Sequence, residues 1–77
     1  VNRFFVLYVT SGCHLCEQAE SLIQGQKSIA VSAVEIADDA ELLEQYGARI
    51  PVLQRQETGE ELDWPFDVEA LQRFLTG

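Results

Sequence analysis

Val9-Thr10-Ser11-Gly12-Cys13-His14-Leu15-Cys16 is the stretch on which the reading of this chain turns. An apolar run, Phe4-Phe5-Val6-Leu7-Tyr8-Val9, leads into it, and a helical apolar periodicity follows it. A strand that ends in a short polar turn and hands Cys13 to a helix N-terminus makes a reactive thiol. There the backbone N–H groups lack intrahelical partners and the helix dipole is positive, and both favour a thiolate. Cys16 comes one turn later on the same face, within reach of a disulfide formed at Cys13. These are the only two cysteines, so the pattern is that of a dithiol–disulfide pair.

Outward from that stretch, residues 4–9 carry no polar group except the Tyr8 hydroxyl and fit a central strand covered on both faces. Beyond the cysteines, Leu15, Cys16, Ala19, Leu22 and Ile23 share one helical stripe, and Gly25 marks its end. Residues 29–36, β-branched and mostly apolar, read as a second buried strand, parallel to the first across a βαβ unit. Asp38 is then expected to cap a second helix, with Glu41 reaching back as in a capping box. Leu42, Leu43 and Tyr46 would supply its buried side and Gly47 its stop. Thr58-Gly59 reads as the turn of a hairpin between short strands at 52–55 and about 60–64. A last helix is capped by Asp67, stapled by Phe66 onto Leu71, and carries Val68, Leu71, Phe74 and Leu75 on its apolar stripe. The expected order is β-α-β-α-β-β-α, one α/β domain over residues 1–77 with a four-stranded mixed sheet and helices on both faces.

Composition bounds what such a chain does. At 77 residues the core is thin, and two cysteines cannot form the dense cross-linking of small secreted scaffolds. Thirteen acids against five basic side chains give a formal charge of −8, which argues against nucleic acid or an anionic membrane as partner. No apolar run is long enough to span a bilayer and no signal-peptide pattern stands at Val1, so a cytoplasmic location is expected; a monomer is also expected.

The element order, the Cys13-His14-Leu15-Cys16 motif opening the first helix, and Ile50-Pro51 before the third strand together resemble the thioredoxin fold in its shortest form. The likeness is to the glutaredoxin branch, specifically its small bacterial glutaredoxin-like relatives, and it covers essentially the whole chain. It implies a thiol–disulfide oxidoreductase with Cys13 as exposed nucleophile and Cys16 as buried resolving thiol. It implies no bound cofactor, a disulfide-bearing protein or small thiol as partner, and a reductase or glutathione as electron donor. It also implies a cis Ile50–Pro51 bond beside Cys13, where the Ile50 backbone pairs with an extended substrate. Three departures count against glutathione: His14 and Leu15 replace proline and tyrosine between the cysteines, Glu60-Glu61-Leu62-Asp63-Trp64-Pro65-Phe66-Asp67 lacks a Gly-Gly pair, and Thr10-Ser11-Gly12 lacks a basic residue.

Other residues carry two readings each. His14 would place a positive charge near Cys13, or is an exposed first-turn residue. Arg49 would meet a substrate carboxylate or the Cys13 thiolate, or is a surface charge bridging Glu44 or Glu41. Trp64, Phe66 and Tyr8 read as core. Two alternatives to catalysis stay open. One is a metal or iron–sulfur site, to which Cys13, Cys16 and His14 bring at most three ligands, completed across a dimer or by glutathione. The other is a non-catalytic redox-sensing module.

Overall fold

Phe4–Val9 forms β1, the strand on which the other elements hang. The computed structural model of the chain describes residues 4–26 and 30–76. Within them β1 is followed by α1 (His14–Gln24), β2 (Ala30–Glu35), α2 (Ala40–Tyr46), β3 (Val52–Arg55), β4 (Glu61–Asp63) and α3 (Val68–Thr76). The sheet order is β2-β1-β3-β4; β2 is parallel to β1, while β3 and β4 continue antiparallel. This is the expected order and the architecture of a minimal thioredoxin fold.

Alternation along the strands sorts side chains to two faces. On one face Phe5, Leu7 and Leu53 pack with Ala19 and Ile23 of α1 and Leu71 and Leu75 of α3. On the other, Val52 packs with Ile36 and with Tyr46 of α2, and Tyr8, Leu42 and Ile50 lie against them. β1 is therefore central and covered on both sides, although its first residue, Phe4, is exposed.

Four expectations need correction. β2 is an edge strand rather than a buried one: it has only β1 beside it, and Ala30, Ser32 and Ala33 face solvent. Ile29, expected at its start, lies outside the described residues. Its small residues leave the sheet margin uncovered, whereas Ile36, just past the strand, is buried and donates its N–H to the Val9 carbonyl.

The cap of α2 is Asp39, not Asp38. Asp39 N–H bonds back to the Ile36 carbonyl, which turns the chain and delays the helix by one residue. Asp39 Oδ1 then accepts from the N–H groups of Glu41 (2.9 Å) and Leu42 (3.2 Å). With the cap at 39, Glu41 stands too early to close a capping box.

Leu15, Leu43 and Val68, placed on buried stripes by periodicity, are exposed. Leu15 and Val68 stand in the first turns of their helices, and α2 is too short to bury more than Tyr46 and, in part, Leu42. Lastly, Gly47 ends α2 in a right-handed conformation (φ −53°), not the left-handed one expected of a C′ glycine. A β-carbon there would collide with the Leu43 carbonyl oxygen.

Apart from Val68, the last helix follows its expected design. Asp67 Oδ1 accepts the Ala70 N–H at 2.8 Å, and Phe66 and Leu71 are buried in one cluster. Gly59, at φ +81°, turns the β3–β4 hairpin as the Thr58-Gly59 pair requires. Arg55 is buried between the rings of Phe5 and Phe74, 5.5 and 5.3 Å from their centroids, and donates to the Phe74 carbonyl near the end of α3. The Ile50–Pro51 and Trp64–Pro65 peptide bonds are cis. Among the described residues no helix is long and apolar enough to cross a membrane.

Candidate active site

Between β1 and α1 the chain turns once. Cys13 N–H bonds to the Thr10 carbonyl at 3.3 Å, which closes a four-residue turn, and Gly12 takes φ +75° inside it. That positive φ at the third turn position is what a type II turn demands, and glycine supplies it without steric cost. Cys13 follows in an extended conformation as the N-cap of α1.

The sulfur of Cys13 does what a serine or aspartate oxygen does at other helix starts. Its Sγ accepts the Cys16 N–H at 3.1 Å, taking one of the amides that the first helical turn leaves unpaired. Cys13 is half-buried, whereas Cys16 is 2% exposed within the stripe it shares with Ala19 and Ile23. The two sulfurs are at bonding distance and form a disulfide, with their Cα atoms 5.2 Å apart. The expected asymmetry of an accessible first cysteine and a covered second one is therefore present in the geometry.

The residue that sequence reasoning missed at this site is Glu35. It ends β2, directly beside Val9 in the parallel register. Its Oε1 accepts both the Ser11 N–H (2.9 Å) and the Ser11 hydroxyl (3.1 Å), and its Oε2 accepts the Ala37 N–H (3.0 Å). The Ala37 amide first, then the side chain of Thr10 and the two Ser11 donors, hold the Glu35 carboxyl below the usual carboxylate range. In the sequence Glu35 was one of thirteen acids, and only the β1–β2 register reveals what it faces.

Ile50 and Pro51 enter β3 at the same end of the sheet, since Val52 pairs with Tyr8 near the exit of β1. Pro51 is buried, and its carbonyl accepts the Trp64 N–H at 3.2 Å. Ile50 is half-buried, and its N–H is already taken by the Tyr46 carbonyl at 3.0 Å. The expectation that the whole Ile50 backbone unit stays open to a substrate thus fails for the N–H. Its carbonyl accepts no hydrogen bond from the described residues.

Arg49 bridges neither Glu44 nor Glu41. It holds Asp63 through both Nε (3.2 Å) and Nη2 (2.8 Å), donates from Nη2 to Glu61 (2.6 Å), and lies 5.2 Å from the Tyr46 ring centroid. Glu61 also accepts from the Tyr46 hydroxyl (2.6 Å) and from Gln54 (3.3 Å), and Tyr46 stacks on Tyr8 at 4.2 Å. The hydrogen bonds from Tyr46 and Arg49 lower Glu61, and Arg49 lowers Asp63. Burial and the Glu61 carboxylate raise Tyr46, and the two carboxylates, Asp63 foremost, raise Arg49. Alternation and register alone place Gln54, Glu61 and Asp63 on the Tyr8 face, where α2 delivers Tyr46. The network ties the 49–51 segment to β4.

His14 is exposed at the first position of α1, with no hydrogen-bond or ion-pair partner among the described residues. Among those residues no group of three or more histidine, cysteine or acidic side chains is arranged to hold a metal ion.

A known protein family matches this sequence. The model of the glutaredoxin-like domain (DUF836) matches residues 5–76. The X-ray structure of protein XcR50 from X. campestris is 43% identical, with a TM-score of 0.86 over 94% of this chain and 95% of that one. The solution structure of XcR50 gives a TM-score of 0.83 at the same identity, over 94% and 91% of the two chains. Protein Ne2328 from Nitrosomonas europaea, in a solution structure, is 26% identical with a TM-score of 0.76, covering 97% of this chain and 93% of that one. No curated protein matches the sequence. With its cysteine pair at the head of α1 and the family match spanning nearly its whole length, the chain belongs to the glutaredoxin-like domain (DUF836) family.

Proposed function

We propose that the chain is a thiol–disulfide oxidoreductase in which Cys13 is the nucleophile and Cys16 the resolving thiol. The observation that carries this reading is the Cys16 N–H donating to Cys13 Sγ at 3.1 Å, with Cys13 accessible and Cys16 covered. An amide aimed at a sulfur in the positive end of a helix stabilises negative charge there, and the thiolate is the attacking species.

In the reduced protein the Cys13 thiolate attacks a substrate disulfide. One substrate sulfur leaves as a thiolate and the other joins Cys13 in a mixed disulfide. Cys16, losing its proton, then attacks Cys13 Sγ and expels the second substrate thiolate, leaving the Cys13–Cys16 bond. The substrate gains two electrons and, on protonation, two protons. A thiol donor, glutathione or a protein dithiol served by a reductase, returns two electrons to reopen the bond. In this reading, substrate contact falls to His14, Pro51 and the Ile50 carbonyl. Arg49, already committed to Asp63 and Glu61, holds the segment that presents them. A cytoplasmic monomer fits this reading, because thiol donors are abundant there.

The test is a pair of variants mixed with a model disulfide. Cys16→Ser traps the mixed disulfide, seen as a mass increase on Cys13, and Cys13→Ser abolishes exchange. Equal activity in both variants overturns the assignment. Running wild type with glutathione and its reductase, then with thioredoxin reductase, identifies the donor. Reduction by neither removes the catalytic reading in favour of a sensing module.

A further inference from the structure

We infer that Glu35 is a positioning residue for the cysteine pair, clamping the turn that carries Cys13 to the end of the neighbouring strand. The inference rests on the oxidoreductase reading only for its biological meaning; the clamp itself is a property of the dithiol–disulfide equilibrium.

The turn from Thr10 to Cys13 is short, polar and exposed at Ser11 and Gly12, and it contains one internal backbone hydrogen bond. Alone, such a turn holds Cys13 loosely, since one bond offsets little of the entropy of ordering four residues. What fixes it is bonding to Glu35, 24 residues further on, whose carboxylate takes the Ser11 amide and hydroxyl and also the nearby Ala37 amide. The Ser11 N–H is the second-residue amide of the turn and has no partner inside it, so the Glu35 oxygen satisfies a donor that would otherwise face water. Oε2 on Ala37 fixes the carboxylate plane, and with it the position from which Oε1 meets Ser11. Bonds to an ionised acceptor are the stronger kind, and here three converge on one group.

Two consequences for the sulfurs have the same sign. Loosening the turn gives the reduced pair freedom that the disulfide does not have, which favours the dithiol. Removing a fixed negative charge from the turn before Cys13 also favours the thiolate, and so again the reduced form. The native clamp therefore shifts the pair toward the disulfide, opposing the helix N-terminus that stabilises the thiolate.

The experiment equilibrates the protein with defined mixtures of reduced and oxidised glutathione. Two glutathione thiols give up two electrons and two protons to become glutathione disulfide, and the Cys13–Cys16 bond becomes two thiols. Glu35→Ala should move the equilibrium toward the dithiol by about three- to tenfold. Glu35→Gln keeps an oxygen for Ser11, loses the charge and cannot accept from Ala37, so it should fall between wild type and Glu35→Ala. Amide exchange on the same proteins is the second readout. The Ser11 amide should exchange about tenfold faster in Glu35→Ala and near the wild-type rate in Glu35→Gln, with Leu7 and Leu53 unchanged in both. An unchanged equilibrium, or an unchanged Ser11 amide in Glu35→Ala, overturns the clamp. Neither readout needs turnover, so a protein that reduces no model disulfide but shows both shifts keeps the clamp and loses only the catalytic reading.

Discussion

At the scale of the residue, the chemistry concentrates on where a few polar atoms find partners. Cys13 Sγ takes an amide of the helix start, Glu35 takes Ser11 and Ala37, and Arg49 takes Asp63 and Glu61. The Arg49 group has a pH signature. Glu61 and Asp63 are held below their ordinary values of 4.5 and 3.8. Their pairing therefore contributes stability that is fully present above those values and is lost as pH falls through the depressed folded-state values. Arg49→Ala should cost about 1 kcal/mol at neutral pH, because these side chains are partly exposed and screened. It should also flatten the acid limb of the stability curve, as read by urea unfolding at a series of pH values. An acid limb as steep as the wild type's would show that other carboxylates set it. Sequence placed the Cys13–Cys16 pair at the start of α1 because a CxxC after a strand is local. Glu35 and the true partners of Arg49 stayed hidden, because each pairing joins elements far apart in the chain and depends on strand register.

At the scale of the element, periodicity and end signals made every strand and helix legible over the described residues, and errors gathered at termini and margins. The cap of α2 shows why. Asp38 and Asp39 are equivalent as residue types, and only the turn made by the Asp39 N–H on Ile36 selects the second. Asp39→Ala should accordingly destabilise the protein by about 1 kcal/mol and Asp38→Ala by a few tenths at most, measured by thermal or urea unfolding. Reversed costs would move the cap back to Asp38. Leu15, Leu43 and Val68 mark a second limit, since periodicity assigns a residue to a stripe but only the packing of the helix decides which stripe residues are covered. β2 marks a third: apolar, β-branched composition fits an edge of small residues as well as a buried strand, and only sheet order separates the two.

At the scale of the molecule, a 77-residue chain has little stability to spare, and its two clusters meet across β1 and β3. Leu53 is fully buried where β3 faces both α1 and α3. Leu53→Ala should therefore cost about 3 kcal/mol, a large share of the roughly 5–10 kcal/mol available to so small a domain. The variant should unfold near physiological temperature in a calorimetric scan, and a loss within 1 °C, far below the shift of about 4–8 °C that each kcal/mol produces in a domain of this size, would contradict the assigned core. The same economy explains the site. The exit of β1, the entry of β3 and the end of β2 share one end of the sheet, so a thin core suffices to bring Cys13, Pro51 and Glu35 to a common region.

The proposed chemistry depends on the amides that begin α1 stabilising a Cys13 thiolate once the disulfide is reduced, and the direct measurement is its ionisation. Thiolate absorbance, or the rate of alkylation, followed against pH in the reduced protein with Cys16→Ser as background, should place the Cys13 pKa clearly below the value of about 8.5 for a free cysteine. A Cys13 that titrates at or above that value would contradict the account.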